Sequence, residues 1–205
     1  MPLKFLTNKI RHKRIFKQWD EDSYSAPSPP HVKRKALLRN GWQGASWVET
    51  GTYRGDTTAL LADNARFVHS IEPEVKLFEA ASIRFAKFDN VEILKGTSEE
   101  VFPELLPKLS GDVNFWLDGH FSGSSTFQGA TDTPVVEELR SISANVRNFD
   151  KIAVLVDDIR LFDPRKEGFQ SYPDLDFLVD WARKHNLHWH IEHDIFIAKT
   201  DKLSG

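Results

Sequence analysis

The chain has 205 residues, enough for one α/β domain with a substantial core and tight for two. Its 27 basic and 30 acidic residues leave a net charge of -3, so no large field of one sign marks a general nucleic-acid binder. The lack of cysteine excludes disulfides, thiolate metal sites and a cysteine nucleophile. No apolar stretch approaches the ~20 residues that cross a bilayer, and the charged N-terminus lacks the apolar run of a signal peptide, so a cytoplasmic location is the default expectation.

Residues 1–22 read as a helical lead-in with an imperfect apolar stripe of Phe5, Ile10, Ile15, Phe16 and Trp19. It carries a basic cluster, Lys9, Arg11, His12, Lys13, Arg14 and Lys17. This is either a solvated helix face or a contact for a phosphate or an acidic surface. The Ser25–Pro30 segment breaks the helix and should be extended. A short helix is expected over His31–Asn40, stopped by Asn40-Gly41. Strands are then predicted at Ser46–Glu49, Phe67–Ile71, Val91–Leu94, Val113–Leu117 and Ile152–Val156. Helices are predicted between and after them at Asp56–Asn64, Glu74–Phe88, Ser98–Leu109 (with a break at Pro107), Pro134–Val146 and Leu175–His185. Leu187–Ile191 and Ile195–Lys199 form a closing hairpin, with His193-Asp194 as its tight turn. This alternation predicts an α/β, Rossmann-like, doubly wound and mostly parallel seven-stranded sheet with an antiparallel edge hairpin. An N-terminal helical extension over 1–44 would precede a ligand-binding domain over 45–205. Ligands of such sheets bind beyond the carboxyl ends of the strands.

The run Glu49-Thr50-Gly51-Thr52-Tyr53-Arg54-Gly55-Asp56-Thr57-Thr58 follows the first strand. Gly51 permits unusual backbone angles and close approach of a ligand, and Asp56 or Thr57 can cap the following helix. On the glycines alone, an ordinary strand-to-helix turn explains the loop equally well. Glu72, roughly 20 positions after Gly51 at the tip of the next strand, is placed to accept hydrogen bonds from both hydroxyls of a ribose. A dinucleotide fingerprint needs a third glycine, but Asp56 follows Gly55. The leading acid, Glu49, suits a cationic amino group and a sulfonium better than a pyrophosphate.

The Glu49–Gly55 run resembles the first motif of class I S-adenosylmethionine-dependent methyltransferases, and most closely the macrocin-type and cephalosporin-associated O-methyltransferases. The resemblance covers about residues 45–200. It implies that Glu49, Thr50, Gly51, Thr52, Tyr53, Gly55 and Thr57 line the cofactor and that Glu72 takes its ribose. Thr97 and Ser98 would lie near the adenine, although both can equally cap the next helix.

Two further segments are acidic. The fourth strand ends in Leu117-Asp118-Gly119-His120 and the fifth in Val156-Asp157-Asp158. Their carboxylates should converge at one sheet edge, where they must bind a cation, share protons or repel. Oxygen donors of this kind suit Mg²⁺ or another divalent cation. The resemblance implies the same set, Asp118, Asp157 and Asp158, as metal ligands, with Asp118 also lining the cofactor. Position 120 departs from that group, being His in place of an acid, which leaves His120 as metal ligand, catalytic base or substrate contact. Between these segments the polar stretch from Phe121 to Pro134 has the length of an active-site lid, and the loop from Phe162 to Asp174 should help shape the acceptor pocket. Glu137 and Glu138 read as surface acids, although one could face the cleft. His188 and His190 read as solvent-facing strand histidines.

The expected activity is methyl transfer from S-adenosylmethionine to a hydroxyl of a sugar, glycan or small natural product, with or without a divalent metal. No nucleic-acid partner and no membrane span are expected, and a homo-oligomer is compatible with the sequence. Two rivals stand beside this reading. One is a nucleotide-binding regulatory protein without turnover. The other is a metal-dependent hydrolase, which has no need of a ribose clamp.

Overall fold

A computed structural model describes residues 2–119 and 133–201 of the chain, with side chains described from Ile10 onward. In chain order the elements are α1 (Pro2–Glu21), α2 (Pro30–Asn40), β1 (Ser46–Thr50), α3 (Asp56–Ala62), β2 (Val68–Glu72), α4 (Val75–Phe85), β3 (Val91–Lys95), α5 (Ser98–Leu105), β4 (Gly111–Leu117), α6 (Val135–Asn145), β5 (Phe149–Val156), α7 (Leu175–Lys184), β6 (His188–Glu192) and β7 (Ile195–Lys199). They form one seven-stranded sheet in the order β3-β2-β1-β4-β5-β7-β6. The first five strands are parallel, while β7 runs antiparallel to both β5 and β6. This is the expected Rossmann-like architecture, a mostly parallel seven-stranded sheet with an antiparallel edge hairpin.

The central strands are buried on both faces, so their side chains alternate between two cores. Val48, Phe115, Leu117 and Val154 join Phe102 of α5, Leu139 of α6 and Leu178 of α7 on one face. Trp47, Trp116, Leu155 and Ile197 join Leu37 of α2 and Leu61 of α3 on the other. Ala36 and Leu37 are wholly buried, so α2 packs against the same core as the strands. In α2, Lys33, Ala36, Leu37 and Asn40 face inward, at the spacing that puts them on one side of a helix.

Element boundaries move where tertiary contacts outweigh local pattern. β4 and β5 begin earlier than the runs read from the sequence, at Gly111 and Phe149, because Gly111 pairs with Phe149 and Asp112 with Lys151 across a bulge at Gly111/Asp112. The fifth helix stops at Leu105, two residues after Pro103, and a 3₁₀ turn over Leu106–Lys108 carries Pro107. The hairpin turn forms as expected. His193 and Asp194 both take positive φ, 52° and 65°, the type I′ geometry that matches strand twist. The hairpin adds β6 at the edge and inserts β7 between it and β5, which explains why β7 is buried and β6 exposed. His188 and His190 are exposed on that edge strand, as expected. Among the described residues no helix is long and apolar enough to cross a membrane.

Candidate functional site

Chain connections run outward from β1 to β2 and β3 in one direction and through β4 and β5 in the other. The loops leaving the adjacent ends of β1 and β4 therefore part at a topological switch point, where such sheets bind ligands. Thr50 is in register with Leu117, so the loops begin side by side. They touch at Gly51, which has φ +86°. A Cβ there would stand 2.5 Å from the carbonyl oxygen of Asp118. Gly55, φ +72°, plays the part of a packing glycine, since a Cβ would stand 2.6 Å from the Phe85 ring of α4. Gly55 is itself the N-cap of α3, with no side-chain cap. This corrects the expectation that Asp56 or Thr57 caps the helix: the left-handed glycine already turns the chain, and Asp56 instead pairs with Arg84 at 3.0 Å. Thr57 lies half-buried in the first turn of α3.

Two carboxylates underlie the loop. Glu49 is fully buried. Its Oε2 accepts hydrogen bonds from the Thr58 hydroxyl at 2.5 Å and the Ser70 hydroxyl at 2.6 Å, while Oε1 has no partner. Burial raises its pKa to about 7, against the lowering effect of those two hydroxyls. Thr52 joins the same network through Ser70, at 2.6 Å. Glu72 ends β2 and accepts from the backbone N–H of Tyr53 at 2.7 Å and of Glu74 at 3.0 Å. Burial pushes its pKa up, and the two amides oppose the shift. The amides of Gly51 and Thr52 both donate to the Ile71 carbonyl. Three successive loop amides are thus spent on β2, which fixes the loop beside Glu72.

Thr50 and Ser98 are buried beside Glu138, and their hydroxyls favour its charged form; the Ser98 hydroxyl also donates to Glu99 at 3.3 Å. Thr50 Oγ1 also accepts from the Asp118 N–H at 3.2 Å. Burial raises Glu138 to about 7, and among the described residues its Oε1 has no partner. This corrects its reading as a surface acid. Its neighbour Glu137 is the surface one, paired with Arg140. The helix-period pattern of α6 places Glu138 in line with buried Val135, Leu139 and Ile142, and that was the available signal. Thr97 caps α5 in a reciprocal capping box with Glu100. Its hydroxyl is engaged there, as one of the two sequence readings has it.

The acidic cluster differs most from expectation. Lys33 of α2 places its Nζ 2.5 Å from one oxygen of Asp157 and 2.5 Å from one of Asp158, and 3.7 Å from Asp194 of the hairpin turn. Arg160 grips both oxygens of Asp158, at 2.5 and 3.1 Å, and also pairs with Asp194. Burial opposes the charge on Lys33, but Asp157 and Asp158 more than offset it, so its pKa is raised. Burial pushes Asp157 up, to about 6, and Lys33 limits the rise. The expected metal set of Asp118, Asp157 and Asp158 does not fit a divalent ion in this arrangement. An ammonium already sits against both members of the Asp pair, and among the described residues no group of three acids or histidines could hold a metal. Lys33 lies 124 positions from Asp157, so no local motif pointed to it. His120 and the lid segment through Asp132 lie outside the described residues. The Phe162–Asp174 loop is anchored on the core by Phe162 and Tyr172, whose rings are 5.5 Å apart.

No protein-family model and no curated protein matches the chain. Solved structures do resemble it in fold. A Staphylococcus aureus protein assigned as a caffeoyl-CoA O-methyltransferase superposes with a TM-score of 0.53 at 13% identity, over 96% of this chain and 97% of its own. A methyltransferase dependent on S-adenosylmethionine, from Aquifex aeolicus, gives 0.52 at 14%, over 91% and 96%. A 23S rRNA methyltransferase gives 0.52 at 11%, over 85% and 68%. At these identities the likeness is one of fold.

Two substitutions test this geometry. Gly51→Ala should cost roughly 1–3 kcal/mol in urea unfolding, because it combines a strained φ with a clash against backbone. Lys33→Met should cost about 3–5 kcal/mol at pH 8, since it leaves buried carboxylates without their cation. Asp157 titrates higher in the folded chain than in the unfolded one, so its contribution is full below pH ~4 and is lost as pH rises through about 6. Removing Lys33 raises it further, and the deficit should shrink when unfolding is repeated at pH 5. An equal deficit at both values would contradict the assigned network.

Proposed function

We propose that the chain transfers a methyl group from S-adenosylmethionine to a hydroxyl of a sugar, glycan or other small acceptor. The observation that carries this reading is Glu72, clamped by two backbone amides at the tip of β2 beside the switch-point loop. Each carboxylate oxygen keeps a further lone pair for a ribose hydroxyl. Three other features favour this cofactor over a dinucleotide. The loop amides that would cradle a pyrophosphate are already bonded to β2. The buried Glu49 carboxyl has an oxygen without a partner. Both Glu49 and Glu72 would repel phosphate and attract a cation.

Bound S-adenosylmethionine supplies an electrophilic methyl on a cationic sulfur. In this reading Glu72 orients the ribose, while Glu49 and the backbone around Gly51, Thr52 and Tyr53 hold the charged methionine end. Thr57 and Gly55 fix the start of α3 beneath it, and the Thr97-Ser98 turn borders the adenine. Asp118, at the end of β4, faces the acceptor. In this reading His120 would be the base that takes the proton of the acceptor hydroxyl. No divalent ion enters this mechanism, because Lys33 and Arg160 already supply the positive charge beside Asp157 and Asp158.

Calorimetry should show one-site binding of S-adenosylhomocysteine, weakened at least about tenfold, or roughly 1.4 kcal/mol, by Glu72→Ala and less by Glu72→Gln. Absence of binding to the unmodified chain would sink the reading. Protons compete with a cationic ligand for Glu49, so affinity for S-adenosylmethionine should rise as pH increases through about 7. The Glu49→Gln variant should lose that dependence.

A further inference from the structure

A groove of about 660 Å³ lies away from the loop, between α1 and α2 and floored by α3. Its size is that of a small-molecule site. From α2 it takes His31, Arg34, Lys35 and Leu38, the helix face opposite the one that carries Lys33 and Leu37 into the core. From α1 it takes Lys13 and Phe16 along one face. Phe16, Leu38 and Leu60 form an apolar strip, and the charged heads surround it. No ion pair among the described residues engages Lys13, Arg34 or Lys35, whereas Lys17 is paired with Glu21 at 3.4 Å. Among the described residues Asp20 is the one acid that lines the groove, and it raises the pKa of the nearby Tyr24 hydroxyl. The His12 and His31 rings stack at 4.5 Å, nearly parallel. Burial lowers the pKa of His31, and His12, Lys35 and Arg34 lower it further, as a positive field requires.

We propose that this groove binds the anionic end of the methyl acceptor, a small organic phosphate whose apolar body lies along Phe16, Leu38 and Leu60. The placement joins the two sites. Arg34 sits in the field of Asp56, the residue after Gly55 of the cofactor loop, and the adjacent Lys33 reaches the crevice. One helix therefore passes from groove to reaction edge. A phosphate meets three cations, none of them held in an ion pair among the described residues, against the single carboxylate of Asp20, and the apolar floor excludes a purely hydrophilic anion as the best occupant. A nucleic-acid strand is less suited, because the cations ring a short apolar pocket instead of tracking a backbone. The assignment as acceptor rests on the methyl-transfer reading, whereas binding itself does not.

The test is calorimetry on the full chain with 1-naphthyl phosphate, inorganic phosphate and 1-naphthol as probes. The ester should bind at one site, with each of the other two at least about tenfold weaker. The exposed pair Lys13→Glu/Lys35→Glu should weaken the ester at least about tenfold while leaving the melting temperature and S-adenosylhomocysteine binding unchanged. Failure of the ester to bind, or equal binding by the double variant, overturns the proposal. So does a short single-stranded RNA that binds more tightly than the ester and depends on the same lysines. Loss of S-adenosylhomocysteine binding in the unmodified chain would instead strike the methyl-transfer reading, and is read independently in the same titrations.

Discussion

The ammonium of Lys33, wedged between Asp157 and Asp158 at the carboxyl edge of the sheet, is the contact on which the rest of the site depends. Three aspartates crowd that edge, and buried charges of one sign must be neutralised or forced to take up protons. Lys33 and Arg160 neutralise them. The consequence is structural as well as electrostatic. Because Lys33 is on α2, the pairing pins that helix over the ends of the strands and turns Leu37 into the core on the same face. The opposite face is left to form the groove with α1.

Beneath the switch point, two more carboxyls are buried, Glu49 and Glu138, each raised to about 7 by loss of solvent. Glu49 is held by two hydroxyls from different elements, Thr58 and Ser70, and these pairings fasten β1 to α3 and β2. The loop between them is fixed by polar contacts and needs no ligand to hold its shape. Such preorganisation lowers the cost of binding. Among the described residues, the buried Oε1 of Glu49 has no partner.

What could be read in the sequence was whatever local pattern encodes. Alternating apolar runs located the parallel strands, and the His193-Asp194 pair located the hairpin turn. The Gly51 spacing to Glu72 placed the β1 loop against the tip of β2, because strand tips in a parallel sheet bring such positions together. What could not be read depended on contacts between distant parts of the chain. Asp157 and Asp158 look identical in sequence whether they face a metal or a lysine, and Lys33 belongs to a short basic helix with nothing to mark it. Glu138 was hidden by its exposed neighbour Glu137. Asp56 is a good capping residue, yet Gly55 had already made the turn and Arg84 claimed its carboxylate. The early starts of β4 and β5 were masked by polar residues that pair without being buried.

The most direct test is a crystal structure of the chain grown with S-adenosylhomocysteine and Mn²⁺, read from its ligand density and anomalous difference map. The account predicts the ribose on Glu72, the amino acid end over Gly51, Lys33 still seated between Asp157 and Asp158, and no anomalous peak among Asp118, Asp157 and Asp158. A manganese peak at those carboxylates with Lys33 displaced, or the ligand bound away from Glu72, would contradict it.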